Sequence, residues 1–236
     1  LEGGGHVVRA CVSLAWTLGV PMTIRSIRAG RSKPGLHAQH CASVRLAAAL
    51  SHRRLEGDSL GSTQLRVEPG SESMPLPPEL VADAQTAGST MLMLQAALPP
   101  LLFCTSLPPT LTLRGGTDVD FAPPVAHASL VLAPLLRTLG AHVQVDVVRR
   151  GWFPRGGGEV RVRASLVKAE GAPPGLRALE LHARGVATHV TGEVAGPDGA
   201  LEELRAEVEA AIRKLGALRG VPLAIELGGA AGGQAE

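Results

Sequence analysis

The stretch HVVRACVSLAWTLGVPMTIRSIRAGRSKPGL, residues 6–36, contains the local signals from which the fold can be predicted. Apolar residues recur at helical spacing from His6 until Gly19, and glycine commonly ends a helix. After Pro21 the alternating run MTIRSIRA predicts a strand. The glycines, charges and proline of GRSKPGL predict a loop. The order expected here is therefore helix, strand and polar loop.

The same order of signals returns about 86 residues later in the chain. A helix over about residues 37–52 and a strand in TQLRVEPG complete the first half. The second half has a helix GSTMLMLQAALPPLLF that should break at Pro99 and Pro100, a strand TLTLRGG and a loop TDVDFAPP. A helix kinked at Pro134 follows, and then a hairpin-like pair, HVQVDVVRRG and EVRVRASLV. The pattern predicts a duplicated α/β unit.

A change of texture at Gly171 predicts a second, smaller domain. The run EGAPPG is typical of a linker, and the helix ALEELRAEVEAAIRKLG after it has a mixed charged face typical of solvent exposure. We therefore expect a core domain over residues 1–170 and the start of a separate α/β domain over residues 171–236.

The composition describes a globular protein with a particular kind of cation. Apolar residues make up 45% of the 236 residues, and no apolar run reaches the roughly 20 residues that cross a bilayer. Arginine provides 20 of the 23 basic residues, since only three are lysine. Guanidinium groups suit phosphate, but biased genomic composition is the preferred explanation of the overall excess. The three cysteines lack metal-ligand spacing and predict free thiols in a reducing compartment.

Arginines cluster in the loop IRAGRSKPG. Arg28 and Arg31 are three residues apart, so both guanidinium groups could face one phosphate. Gln39 and His40 follow on the next predicted helix, whose first N–H groups could add to an anion site. An ordinary surface loop with unrelated arginines is the alternative.

The first residues, LEGGGHVVRA, offer a second candidate. A glycine-rich helix start suits phosphate, and the Glu2 carboxylate beside it could bind a divalent cation. A capping glutamate at a flexible terminus is the simpler alternative. Asp118 and Asp120 could likewise bind a metal, but capping of the next helix is the preferred interpretation.

Three long stretches resemble one family. The run EGGGHVVRACVSLAWTLGVPMTIRSIRAGRSKPGLHAQHCASV closely resembles the first motif region of the RNA 3'-terminal phosphate cyclases. The runs GGTDVDFAPP and RRGWFPRGGGEV resemble two further motifs of that family in the same order, so the likeness covers about residues 1–165. It implies repeated βαβαββ units with a small inserted α/β domain, here truncated.

The resemblance also implies an activity, namely ATP-dependent conversion of an RNA 3'-phosphate to a 2',3'-cyclic phosphodiester inside the cell, whether nucleus or cytoplasm. By motif, Glu2 would hold Mg²⁺ or Mn²⁺, while Gln95 and Pro123 would lie near the adenosine nucleotide. The residues implied at the reacting phosphates are Arg9, Arg28, Arg31 and Gln39.

The run RGWFPRGGGEV, residues 150–160, predicts a cleft wall where the backbone closely approaches another loop or the RNA end. Trp152 or Phe153 could stack on a base, although packing between the two domains is the simpler interpretation.

The sequence also departs from the family pattern. The histidine nucleophile of the family belongs to a C-terminal segment, and none of the eight histidines matches its motif. The family's first strand has no counterpart either. We therefore expect the 236 residues to be an inactive piece of an active enzyme. Two other readings stay open: a non-catalytic cyclase-like scaffold in ribosome biogenesis, and a transferase of the enolpyruvyl type acting on a small anion.

Overall fold

A computed structural model describes residues 3–70, 75–104, 107–167, 175–180, 182–183, 185–195 and 201–228. The chain divides into two compact units, Leu1–Ala178 and Leu179–Glu236. This boundary lies eight residues after the end of the expected core domain, and the assignment of the second unit to an inserted domain remains a prediction. Among the described residues, no helix is long and apolar enough to cross a membrane.

The first repeat consists of two helices over a small antiparallel sheet. Its elements are α1 (Gly5–Thr17), β1 (Met22–Ile24), α2 (Ala38–Leu50), β2 (Arg54–Glu56) and β3 (Leu65–Glu68). The strands lie in the order β1-β3-β2. Apolar residues from both helices and the sheet, including Val8, Val44 and Leu65, are buried between them. The strand predicted in MTIRSIRA is only three residues long, because the backbone bends at Ser26, which has a φ of 54°.

The second repeat has the same order of elements with one more strand at its start. Its elements are β4 (Glu79–Asp83), α3 (Thr90–Leu102), β5 (Thr110–Gly115), α4 (Val125–His127), a π-helical turn (Ala128–Leu132), α5 (Ala133–Thr138), β6 (Ala141–Arg149) and β7 (Gly158–Leu166). The strands lie in the order β4-β5-β7-β6, with β4 parallel to β5 and the other pairs antiparallel. The order β5-β7-β6 reproduces β1-β3-β2, so the mixed α/β fold with repeated units is confirmed.

Two isolated parallel bridges fix the offset between the repeats. Gly3 pairs with Ile27 ahead of α1, and Ser89 pairs with Gly116 ahead of α3. Ser89 follows Gly3 by 86 residues, which is the spacing expected from the sequence pattern. Each bridge joins a residue just ahead of a helix to a residue just past the following strand, so the two helix N-termini occupy equivalent places.

Helix α3 contradicts the expected break at Pro99 and Pro100, because it continues through both prolines to Leu102. A proline at position 100 lacks the N–H that would bond the carbonyl of residue 96. The Ser13 hydroxyl on α1 donates to that carbonyl instead, at 2.5 Å. Tertiary packing of α1 on α3 therefore supplies the bond that the local sequence lacks.

The helix after β5, expected to be kinked at Pro134, contains a π-helical turn just before that proline. A π-helical turn precedes α5, and Pro134 lies in the first turn of α5, where its missing N–H is tolerated. The expected hairpin-like pair is confirmed as the antiparallel strands β6 and β7, with a bulge between Val147 and Arg149.

The second unit is a βαβ element. Strand β8 (Val190–Ala195) runs parallel to β9 (Leu223–Gly228), and α6 (Leu201–Arg213) and a 3₁₀ turn (Gly216–Leu218) connect them. No residue of α6 is buried, in agreement with the expected solvated face.

Candidate functional site

Three helices begin close to one another at one edge of the first unit. Helices α1, α2 and α3 are each 13 residues long. A Cβ atom on Gly5, the first residue of α1, would lie only 2.6 Å from Nε2 of His40 in the first turn of α2. Gln39 of α2 accepts a hydrogen bond at its Oε1 from the backbone N–H of Ser89, the N-cap of α3, at 2.9 Å. Helix N-termini carry partial positive charge, so their convergence favours an anion.

Arg9 lies inside this convergence and connects the two repeats. Its side chain is buried with 7% exposure, and its Nε donates to Oε1 of Gln95 on α3 at 2.9 Å. Burial lowers the pKa of Arg9, although a guanidinium group remains protonated in proteins. Gln95 itself is exposed, so its amide lies at the surface of the same edge.

Arg28 is the second guanidinium group at the convergence. It has a positive φ of 52°, and its backbone N–H donates to the Gly3 carbonyl at 3.0 Å, immediately ahead of α1. Its Nη1 is buried and has no hydrogen-bond partner in the described part of the protein. A buried donor without a partner is costly, so this atom fits a ligand oxygen. Arg31 is exposed in the same turn, where its N–H donates to the Arg28 carbonyl at 3.1 Å.

His40 is close enough to Arg9 and Arg28 to feel both charges, and it is neutral at neutral pH. Burial, followed by the charges of Arg28, His37 and Arg9, lowers the pKa of His40 to about 4. Its Nδ1 accepts the backbone N–H of His37 at 3.0 Å, so Nε2 carries the proton of the neutral ring. This N–H is a further donor beside α1. The sequence placed His40 on the right helix but gave no signal for its role, because the role depends on its approach to Gly5.

The two remaining predicted site residues are Pro123 and Glu2. Pro123 is exposed in the loop between β5 and α4. Glu2 lies outside the described residues, so its predicted part in metal binding stays a prediction. Among the residues that the structure describes, no group of three or more histidine, cysteine, aspartate or glutamate side chains is arranged to hold a metal ion.

The preferred capping interpretation of Asp118 was wrong. Helix α4 has Pro124 as its N-cap and receives no side-chain hydrogen bond there. The Asp118 carboxylate instead accepts from the Thr117 hydroxyl at 2.7 Å and pairs with Arg150 at 3.1 Å. The aspartate therefore joins the loop after β5 to the loop after β6.

Three loops meet at the C-terminal edge of β4, β5 and β6. Thr117 donates its N–H to the Gly151 carbonyl at 2.8 Å, which joins the second loop to the third. Gly156 has a φ of 70°, and a Cβ there would lie 2.6 Å from the Thr86 carbonyl oxygen in the first loop. The close approach to another loop that was expected for RGWFPRGGGEV is confirmed. The first loop leads directly to Ser89, so these loops form a wall beside the convergence of helix N-termini.

Comparison with known proteins identifies one family. A family model for RNA 3'-terminal phosphate cyclases matches residues 1–195. A protein named RNA 3'-terminal phosphate cyclase from Archaeoglobus fulgidus is 41% identical over 170 residues, which are 72% of this chain and 51% of that protein. Proteins of the same name from Trichormus variabilis and Pyrobaculum aerophilum are 44% and 38% identical, over 69% and 81% of this chain and 47% and 52% of their own lengths. The chain spans about half the length of these curated relatives.

Proposed function

Because the chain belongs to the RNA 3'-terminal phosphate cyclase family, we propose that it takes part in the ATP-dependent conversion of an RNA 3'-phosphate to a 2',3'-cyclic phosphodiester. The single observation that carries the proposal is the buried Nη1 of Arg28, which lacks a partner in the described part of the protein beside three helix N-termini. A terminal phosphate offers several acceptor oxygens to such a donor.

The proposed reaction has three steps. A histidine nitrogen attacks the α-phosphorus of ATP and releases pyrophosphate. The adenylyl group then passes to an oxygen of the RNA 3'-phosphate, which frees the histidine. The neighbouring 2'-hydroxyl oxygen attacks the 3'-phosphorus, loses its proton and displaces AMP. Phosphoryl and nucleotidyl transfers of this kind depend on positioning and charge stabilisation, which arginine and backbone N–H groups supply.

The described residues divide this work by position. Arg28 and the N–H of His40 would bind non-bridging phosphate oxygens at the helix N-termini, with Arg31 at the solvent side. The buried Arg9 would add positive charge near the bound phosphate, while Gln95 fixes the position of its guanidinium group. Gln39 would keep α2 and α3 in register through its bond to the Ser89 N–H.

For the metal and the nucleotide, we propose only which residues lie near them. Glu2 remains the proposed ligand of Mg²⁺ or Mn²⁺, and a single carboxylate suits a cation whose other ligands are phosphate oxygens and water. Gln95 and Pro123 remain the proposed neighbours of the adenosine. None of the eight histidines matches the motif of the attacking histidine, so we propose that this group lies outside the 236 residues.

A binding experiment tests the proposal on the chain as it stands. A short RNA with a 3'-phosphate should bind more tightly than the same RNA with a 3'-hydroxyl, measured by fluorescence anisotropy. Arg28→Ala should remove most of this preference, because one charge-assisted contact to phosphate is lost. Arg54→Ala is the matched control, since it removes an exposed arginine from β2.

Two outcomes would count against the enzyme. Equal affinity for the two RNA ends would favour the non-catalytic scaffold, which has no need to recognise a terminal phosphate. Competition by small phosphorylated metabolites, with no affinity for RNA, would favour a small-molecule transferase.

A further inference from the structure

Aromatic side chains are scarce in this chain and unevenly placed. The sequence holds three phenylalanines, two tryptophans and no tyrosine. Phe121, Trp152 and Phe153 lie in the two loops that follow β5 and β6, at the edge where the helix N-termini converge. Most of the aromatic content therefore stands beside the candidate site, although aromatic residues usually contribute to a core.

Two of these rings are not packed into the first unit. Phe153 is 81% exposed and Phe121 is fully exposed. Phe121 also has a φ of 60°, a backbone conformation that is unfavourable for a bulky side chain. A large apolar ring held in water by an unfavourable backbone gains nothing for folding, which points to a ligand.

Hydrogen bonds fix the two loops to each other. Thr117 donates to the Gly151 carbonyl, and Asp118 pairs with Arg150, so Phe121 and Phe153 follow these anchors by only three and two residues. Arg149 donates from Nε to the Gly157 carbonyl at 2.6 Å and so holds the far side of the loop after β6. Phe121 and Phe153 therefore lie on loops whose backbone is held in place by hydrogen bonds beside the site.

The charges around the rings suit a polyanion. Arg149, Arg150 and Arg155 lie in or next to the loop after β6, and Arg155 is exposed two residues after Phe153. The acids of the neighbouring loop are Asp118, which is paired with Arg150, and Asp120, which is exposed beside Phe121. An exposed ring next to an exposed arginine is the combination that binds single-stranded nucleic acid, through base stacking and a phosphate contact.

We propose that Phe153, with Phe121 as a second ring, stacks on unpaired bases near the 3' end of the RNA and holds the terminal phosphate towards Arg28. This inference rests on the proposed function, because it takes RNA as the ligand. Stacking tolerates any base, so the platform would select an unpaired 3' end and not a particular sequence.

The experiment compares RNAs of about ten nucleotides that end in a 3'-phosphate, with or without an abasic site at the last, second-last or third-last position. Binding is measured by fluorescence anisotropy for the parent chain, Phe153→Ala and Phe121→Asn. Asparagine is chosen because it tolerates positive φ, so this variant should keep the thermal stability of the parent. Leu107→Ala is the matched control, since Leu107 is 87% exposed in a loop that precedes β5.

Phe153→Ala should weaken the binding of intact RNA by about 5- to 100-fold, the range for one lost base–aromatic stack. Phe153→Ala should have far less effect on RNA that already lacks the stacked base. In this variant, intact RNA and RNA abasic at that position should therefore bind with similar affinity. Leu107→Ala should change neither affinity. ATP affinity should also stay unchanged in Phe153→Ala, because the proposed platform holds the RNA and not the nucleotide.

The outcomes separate this inference from the proposed function. Suppose that RNA with a 3'-phosphate binds preferentially, but that an abasic site weakens binding to Phe153→Ala and Phe121→Asn as much as it weakens binding to the parent chain. The stacking proposal is then wrong, while the proposed function stands. A loss of ATP affinity in Phe153→Ala equal to the loss of RNA affinity would assign the ring to the adenine and also overturn the inference. If the 3'-phosphate gives no preference at all, the proposed function fails, and the RNA platform fails with it.

Discussion

Arg9 donates from Nε to Oε1 of Gln95 at 2.9 Å, and the two residues occupy equivalent positions of the two repeats. Each follows the bridge residue of its own repeat, Gly3 or Ser89, by six positions. The duplication thus places an arginine opposite a glutamine where α1 and α3 meet beside the site. The pair sets the position of a buried guanidinium group without neutralising it, so the charge remains for an anion.

The Arg9–Gln95 contact should couple the repeats energetically. Gln95→Ala leaves a buried guanidinium nitrogen without its acceptor and should lower the free energy of unfolding by about 1–3 kcal/mol. In an Arg9→Met background the same substitution should cost much less, because no charged donor remains. Urea unfolding of the four chains of this cycle measures the coupling. Gln144→Ala, which removes an exposed amide from β6, is the control. Additive effects would show that the contact contributes nothing.

His40 should make stability depend on pH. Its pKa is about 4 in the folded chain, below the ordinary value of 6.5, because of burial and the nearby arginines. Above about pH 6.5 the ring is neutral in both states and contributes no pH dependence. Between pH 6.5 and 4 the unfolded chain takes up a proton that the folded chain resists, so the free energy of unfolding falls as pH falls.

The size of this loss should be about 1–2 kcal/mol, since solvent screens a ring that is not fully enclosed. His40→Gln should flatten the profile between pH 6.5 and 4, measured by denaturant unfolding at several pH values. His142→Gln removes an exposed imidazole from β6 and should keep the profile of the parent. An unchanged slope in His40→Gln would exclude His40 as its source.

Gly156 and Gly157 offer a matched test of the close approach between loops. Both have positive φ, 70° and 73°, so alanine at either position costs about 1–2 kcal/mol in backbone conformation. Only at Gly156 would the Cβ also meet the Thr86 carbonyl oxygen, whereas nothing lies within 4 Å of a Cβ on Gly157. Gly156→Ala should therefore lower the thermal midpoint clearly more than Gly157→Ala. Equal shifts would mean that the approach to Thr86 does not constrain the loop.

The bond from Ser13 to the Ala96 carbonyl should matter because Pro100 leaves that carbonyl without its helical partner. Ser13→Ala should cost about 1–3 kcal/mol of unfolding free energy, the range for a buried acceptor left unpaired. In a Pro100→Ala background residue 100 regains an N–H for this carbonyl, so the cost of Ser13→Ala should shrink. Ser51→Ala, which removes a hydroxyl bonded within its own helix, serves as the comparison. A cost that is the same in both backgrounds would contradict the proposed exchange of partners.

Sequence patterns predicted helices and strands well where the signal was local. The spacing of apolar residues in α1 and the alternation in β6 and β7 located these elements, because both periods follow from the backbone geometry of a single segment. The break expected at Pro99 and Pro100 was wrong because helix α3 is stabilised there by a contact from another helix. A proline rule counts the hydrogen bonds inside one helix, and the compensating donor came from Ser13, which lies in another element.

The candidate site shows the same division. Arg28 and Arg31 could be selected from one short loop, because two arginines at short spacing suit a phosphate, whereas Arg9 and Gln95 were selected only through the resemblance to the family motifs. His40 received no role because its low pKa arises from burial and from charges on other segments. The exposure of Phe153 was likewise hidden, since a lone aromatic residue most often packs inside.

The sequence by itself determined the order of most elements (β2 and β4 were missed), the 86-residue duplication and the family, since each depends on residues that are close in the chain or on motifs read in order. Only the tertiary structure decided that three helix N-termini meet, that Arg9 contacts Gln95, and that the Arg28 Nη1 is buried without a partner in the described part of the protein. The physical reason is that periodicity fixes which face of a segment is apolar, whereas contacts between distant segments depend on how those faces pack together.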